Sequence, residues 1–216
     1  EVAKSLTACE GVILLVDGSQ GVQAQTVQNY YLAKDRDMDF IVVISKIDLP
    51  ACDLNRVDEQ IRSVLKLDTR DILLASAKTG EGVEDILDAV VDRIPAPVGG
   101  DAKPLKALIF DSLFDNYRGV IVYIRVFDGS ISVGDTIRMM ATDKVYEVEE
   151  IGIFNPRMHK KDSLSVGEVG YMVANIKTVG DVKIGDTITL DKNPTDEPLP
   201  GYKDVKPMVF CGMYPV

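Results

Sequence analysis

The chain has 216 residues, 34 acidic against 24 basic side chains, a formal charge of −10 and a hydrophobic share of 46%. That composition excludes intrinsic disorder as the main state, and the acidity argues against non-specific nucleic-acid binding by the whole chain. No apolar run approaches the roughly 18 residues of a membrane span, and no signal-peptide pattern is visible. The charge is uneven. Residues 1–100 hold 10 basic and 17 acidic side chains and residues 101–216 hold 14 and 17, which leaves room for basic patches in the second half. Cys9, Cys52 and Cys211 are widely spaced and contain no C-x-x-C pair, so they read as free thiols. The chain starts at Glu1, which suggests a piece of a longer protein.

In chain order, Val12–Val16, Phe40–Ile44 and Ile72–Ala75 are short, continuous and rich in branched residues. They are expected to be strands of a parallel sheet, buried on both faces. Residues 22–36 between the first two are expected to be helical, with Val27 and Tyr31 facing inward. Asp53 is a candidate N-cap for a helix that buries Leu54, Val57, Ile61, Val64 and Leu65. Val83, Ile86, Leu87, Val90, Val91 and Ile94 form the stripe of a third helix. Strand–helix alternation of this kind predicts βαβ units over residues 1–94. The segment 95–104, with two prolines and two glycines between Ile94 and Asp101, reads as a linker.

Beyond it the period changes. Leu105–Asp111, Val120–Phe127, Thr136–Ala141, Lys144–Ile153, Val169–Ala174 and Thr187–Leu190 are strand-like, separated by turns at Asp128-Gly129, Gly134-Asp135, Gly167, Gly180 and Gly185-Asp186. This predicts an antiparallel β-barrel over 105–191. Val-Gly-Asp-Thr-Ile at 133–137 recurs as Ile-Gly-Asp-Thr-Ile at 184–188, read as two similar turns entering strands. Residues 192–216 read as a polar linker followed by the first strand of a third domain, Val205-Lys-Pro-Met-Val-Phe210.

In an open parallel sheet, ligands bind beyond the carboxyl ends of the strands. Three loops lie there: Asp17-Gly-Ser19, Ser45-Lys-Ile-Asp48 and Ser76-Ala-Lys78. The last two make a candidate guanine pocket from Ser45, Lys46, Asp48, Ser76, Ala77 and Lys78. Asp48 can accept from both the imino and the amino group of guanine. Adenine would leave a buried carboxylate unpaired, a penalty of a few kcal/mol. The aliphatic stems of Lys46 and Lys78 can lie on the two faces of the base, and the Ala77 N–H can donate to the guanine carbonyl. In the second half the basic cluster is Arg157-Met-His-Lys-Lys161, expected in a solvated loop. Arg157, Lys160 and Lys161, with Arg118 and Arg125, are candidate contacts to nucleic-acid phosphate, which the family resemblance described next implies to be ribosomal RNA. His159 alone cannot build a histidine metal site and is placed on a surface loop. Asp111, Asp115, Asp128 and Asp135 read as turn and strand-edge carboxylates, and no metal site or catalytic residue is assigned.

The runs Ala8-Cys-Glu-Gly-Val-Ile-Leu-Leu-Val-Asp17, Gln20-Gly-Val-Gln-Ala-Gln-Thr26, Lys46-Ile-Asp-Leu-Pro50 and Ser76-Ala-Lys-Thr-Gly80 resemble the translational GTPases. The runs Phe110-Asp-Ser-Leu-Phe-Asp-Asn-Tyr-Arg-Gly119, Val145-Tyr-Glu-Val148, Gly152-Ile-Phe-Asn-Pro156 and Val205–Phe210 narrow the resemblance to the LepA (elongation factor 4) family over the whole chain. Elongation factor G and BipA types are the alternatives. The resemblance implies the C-terminal half of a P-loop GTPase G domain, α/β in class, followed by an all-β translation-factor barrel. It also implies a GTP- and GDP-binding parent that hydrolyses GTP on the translating ribosome. Two departures stand out. Ser45 occupies the place of the family's Asn, and no G-x-x-x-x-G-K-[ST] or D-x-P-G-H segment is present. The phosphate cradle, the switch regions and the catalytic histidine are therefore missing. The expectation is a chain inactive in hydrolysis by itself, with Mg²⁺ relevant only to the full-length protein. The alternative is a ribosomal-RNA-binding module without nucleotide activity. The sheet edge left exposed could pair with a second copy. The resemblance implies a cytoplasmic protein, with peripheral membrane association a further expectation for the family.

Overall fold

A computed structural model describes residues 2–201 and Gly212. The strand expected at 205–210 and Cys211 lie outside the described residues. The chain divides into two units, residues 1–97 and 98–216.

The first unit opens with a single helical turn, α1 (Val2–Ser5), and a short 3₁₀ segment, Leu6–Ala8. Its sheet is β1 (Gly11–Asp17), β2 (Asp39–Ser45) and β3 (Leu73–Ala75), parallel and in that order. Register runs Leu14 to Val42, Asp17 to Ser45, and Ser45 to Ala75, so the three strand ends stand side by side. The connecting helices are α2 (Ala24–Lys34), α3 (Leu54–Gln60), continued by a π-helical turn at Ile61–Leu65, and α4 (Val83–Arg93). Two layers of core lie against the sheet. Leu14, Val16, Val42 and Ile44 meet Tyr30, Val57, Ile61 and Leu65 on one face. Ile41, Val43 and Ala75 meet Ala89 on the other.

Here the two-sided burial expected of all three strands holds for β2 alone. Ile13 and Leu15 of β1 and Leu74 of β3 are exposed, because no described helix covers those positions. In α2 it is Tyr30 that packs inward, while Tyr31 is 46% exposed. The helix spans 24–34, and the Tyr30 ring lies 5.3 Å from that of Phe40. Leu54, at the first position of α3, and Val64, in the π-turn, are exposed, while Val57, Ile61 and Leu65 are buried against the sheet. In α4 the stripe is narrower than its apolar content. Ala89 is buried with Ile86, Val90 and Ile94 against it, and Val83, Leu87 and Val91 face outward. The Asp53 N-cap forms as expected, its Oδ1 accepting the Arg56 N–H at 3.0 Å.

The second unit is antiparallel. Its strands are β4 (Lys106–Asp115), β5 (Gly119–Asp128), β6 (Ser130–Ser132), β7 (Thr136–Met139) and β8 (Val145–Glu147). They continue with β9 (Glu150–Asn155), β10 (Arg157–Lys161), β11 (Ser163–Ser165), β12 (Val169–Val173) and β13 (Thr187–Leu190). An eight-stranded sheet runs β10-β9-β12-β5-β4-β13-β7-β8, with β11 and β6 paired beside it. Period-2 alternation in β5 sends Val120, Val122, Ile124 and Val126 into one core. Ile137, Ile151, Leu164, Met172 and Ile188 join them there, so the sheet curls around this interior, and Ile121, Tyr171 and Val173 form a second, smaller buried cluster. The two Gly-Asp-Thr-Ile turns lead into β7 and β13, which are paired neighbours, Ile188 opposite Met139.

Three strands were not visible in the sequence pattern. β6 and β11 have one buried residue each, Ile131 and Leu164, which is too short for alternation to show. β10 carries the basic cluster expected in a loop. Apart from Met158, which packs against Ile121, Tyr171 and Val173, its side chains are polar and exposed, and its strand state comes from backbone pairing with β9, His159 opposite Ile153. The expected strand 144–153 breaks at Val148–Glu149, where Val148 N–H turns to Asp135 O at 2.9 Å and Glu149 N–H to Val173 O at 2.9 Å.

Candidate functional site

The side-by-side ends of β1, β2 and β3 deliver three loops to one edge of the sheet. The first is tied down by its own carboxylate. Asp17 accepts from Ser19 N–H at 2.8 Å, Ser19 Oγ at 2.6 Å and Gln20 N–H at 3.2 Å. The loop is also bonded to its neighbours, Gly18 N–H to Ser45 O at 2.8 Å, Asp53 N–H to Gly18 O at 3.1 Å and Arg56 Nη2 to Ser19 O at 2.8 Å.

The second loop turns immediately after β2. Lys46 adopts a left-handed backbone, φ 60°, a strained state for a side chain with a Cβ. The turn sends its ammonium back to Asp17, Nζ to Oδ2 at 2.6 Å. That bond and the Ser19 hydroxyl hold the Asp17 carboxyl well below the usual carboxylate range, against the opposing effect of burial. Ser45 Oγ donates to Val16 O at 3.3 Å, so the serine still ties this loop to the adjacent strand.

Asp48 is 14% exposed, and its Oδ1 accepts the Ser76 hydroxyl at 2.6 Å. Ser76 is fully buried. It anchors the third loop through N–H to Glu81 O at 2.9 Å, O to Gly80 N–H at 2.9 Å and Oγ to Thr79 N–H at 3.3 Å. Lys78 is exposed, with Nζ 4.0 Å from Asp48 Oδ2, and Ala77 is exposed at the loop tip. The six residues named from sequence are thus brought together. Chemically the cluster offers a fixed carboxylate with one oxygen facing outward, a loop backbone beside it and two flexible cations. Lys46 is the one that departs from expectation, being drawn toward Asp17. The sequence pattern places Asp17 only in a loop, and no sequence signal links it to Lys46.

The basic candidates of the second unit fare differently. Arg125 is 3% exposed, with its guanidinium 4.6 Å from the Phe127 ring, so it does not present itself to a phosphate. This corrects its assignment: it lies mid-strand in β5, where the surrounding sheet encloses it. Arg118 and Lys160 both pair with Glu150, Lys160 at 2.6 Å, and Lys161 pairs with Glu168 at 2.5 Å. Glu150 also accepts from Tyr171 Oη at 3.0 Å. Burial opposes its ionisation, yet Lys160, Tyr171 and Arg118 hold its carboxyl below the usual range. Arg157 is exposed on β10, and the exposed His159 directs Nε2 to Asn155 O at 2.9 Å. Asp115 and Asp128 accept backbone N–H groups of turns, Tyr117 at 2.8 Å and Gly100 at 2.8 Å. Among the described residues no cluster of His, Cys, Asp and Glu could hold a metal ion, and no helix is long and apolar enough to cross a membrane.

Comparison with known proteins matches residues 1–96 to the family "Elongation factor Tu GTP binding domain" and residues 119–189 to "Elongation factor Tu domain 2". Proteins named elongation factor 4 from Halalkalibacterium halodurans and Bacillus cytotoxicus are each 54% identical over 216 residues. One from Listeria monocytogenes serotype 4a is 56% identical over the same length. Each alignment covers 100% of this chain and 36% of the relative, so the chain spans about a third of the length of these proteins.

Proposed function

Because the chain belongs to the translational GTPases of the elongation factor 4 (LepA) family, we propose that its first unit recognises the guanine base of GTP and GDP through Asp48. The observation that carries this reading is the Ser76–Asp48 bond at 2.6 Å. It joins two loops from different strand ends and fixes the carboxylate where the two N–H donors on guanine's edge can meet it. Ala77 N–H then reaches the base carbonyl, and the stems of Lys46 and Lys78 flank the rings. Ser45 supplies the strand tie at Val16 that steadies the loop.

The whole protein is a GTP-hydrolysing factor acting on the translating ribosome in the cytoplasm. This chain by itself binds the base without turning over nucleotide, since no phosphate-cradling motif occurs in it. Mg²⁺ belongs to the full-length protein, and the described residues include no cluster of His, Cys, Asp and Glu that would hold it. The second unit contacts ribosomal RNA along β10, Arg157 directly and Arg118, Lys160 and Lys161 by exchanging their glutamates for phosphate. The outer edge of β1 pairs with no described strand, and a second copy is its proposed partner in the isolated chain.

Calorimetric titration with GDP to about 1 mM, with ADP as control, tests the base reading. A millimolar constant corresponds to about −4 kcal/mol, within reach of a base pocket alone. Binding of GDP and not ADP supports the proposal, and equal or absent binding overturns it.

A further inference from the structure

The guanine reading leaves one strong contact unused. Lys46 does not reach toward Asp48. Its ammonium is held by Asp17, Nζ to Oδ2 at 2.6 Å. We propose that Asp17 is a positioning residue for the guanine site: it clamps the Lys46 ammonium so that the methylene stem is held as a fixed wall over one face of the base. The proposal rests on the guanine reading of the Asp48 loop.

Four features support it. Asp17 is far less exposed than its partner, 18% against 57%, so the carboxylate is the fixed member and the lysine the part being placed. Asp17 is immobilised by three further donors, Ser19 N–H, Ser19 Oγ and Gln20 N–H, all on Oδ1, which leaves Oδ2 for Lys46. Lys46 holds a left-handed backbone that redirects its side chain at the strand end, and such strain is maintained only where surrounding contacts enforce it. Finally, β1 and β2 are locked in register at Asp17 and Ser45, and Gly18 N–H bonds Ser45 O at 2.8 Å, so the two ends of the clamp cannot drift apart. A lysine stem free in solvent samples many rotamers, and ordering it on binding costs free energy. A stem already clamped costs less, so the clamp raises affinity without touching the nucleotide. Asp17 also neutralises the ammonium, which keeps the wall apolar in character.

The test is a double-mutant cycle on the whole chain, read as GDP affinity by NMR titration with ADP as control. Asp17→Asn is expected to weaken GDP binding on the order of fivefold. Lys46→Met keeps the stem and removes the ammonium. In that background Asp17→Asn is expected to change affinity by less than about 1.5-fold. If Asp17 mattered only by holding Ser19 and Gln20, its loss would weaken binding equally in both backgrounds, and the clamp would be overturned. Unchanged affinity in Asp17→Asn overturns it too. Asp48→Asn separates this from the underlying reading. Loss of GDP binding in Asp48→Asn with no effect of Asp17→Asn refutes the clamp alone. Retention of GDP binding in Asp48→Asn, or no binding by the wild-type chain, refutes the guanine site and the clamp with it.

Discussion

Replacing Asp48 by Asn changes one oxygen for an amide nitrogen at nearly constant shape, and the structure sets the consequences. Oδ1 keeps its role, since an amide oxygen still accepts the Ser76 hydroxyl now bonded at 2.6 Å. The bond loses its charge assistance, a stability cost of about 1 kcal/mol. The other position, 4.0 Å from Lys78 Nζ, becomes an N–H donor and gives up its attraction to that cation. A guanine placed there brings its own amino group, so donor faces donor. One charge-assisted bond worth about 1.5–3 kcal/mol is lost and an unsatisfied group costing about 1–3 kcal/mol is created. The combined penalty, about 2.5–6 kcal/mol, lowers GDP affinity by a factor on the order of 10² to 10⁴. Xanthine carries a carbonyl where guanine carries its amino group, so it presents a donor beside an acceptor and complements the amide. The variant is therefore expected to bind xanthosine diphosphate and not GDP, while the wild-type chain does the reverse. Amide NMR titration with GDP, xanthosine diphosphate and ADP to several times the wild-type constant reads both. Circular dichroism of the same samples controls for folding. Preserved GDP selectivity in a folded Asp48→Asn chain would refute the assignment of Asp48 to the base edge.

Ser76→Ala removes the buried hydroxyl that serves both Asp48 and Thr79 N–H, and urea denaturation should show a loss of about 1.5–3 kcal/mol. Gly82 opens α4 at φ 71°, and a Cβ there would stand 1.9 Å from Leu74 O, so Gly82→Ala is expected to lower stability by more than about 2 kcal/mol in the same assay. The depressed carboxyl of Asp17 contributes stability that is fully present above its unfolded value near 4 and fades as pH falls through its lower folded value. The stability difference between the wild-type chain and Asp17→Asn should thus shrink on acidification below about pH 4, and a difference independent of pH would contradict the ion pair.

The two architectures, and the gathering of three loops at one edge of the parallel sheet, follow from the pattern along the chain. Branched apolar runs alternating with helical stripes require a parallel sheet, and loops at strand ends are where its ligands go. Position along the chain therefore already placed Lys46, Asp48 and Ser76 at one edge. The N-cap at Asp53 was equally legible, because capping is local. Other features depend on neighbours distant in sequence. Tyr30 rather than Tyr31 faces inward because Phe40 lies beneath it. Arg125 sits within β5 and packs on Phe127, an enclosure that charge alone does not reveal. The basic run 157–161 became a strand through pairing with β9, since backbone hydrogen bonds ask nothing of side-chain polarity. Glu150 gathers Arg118, Lys160 and Tyr171 from three separate strands or turns. The Asp17–Lys46 pair arises in the same way: register between β1 and β2 sets the two ends abreast, and the left-handed turn at Lys46 closes a distance that 29 residues of sequence conceal.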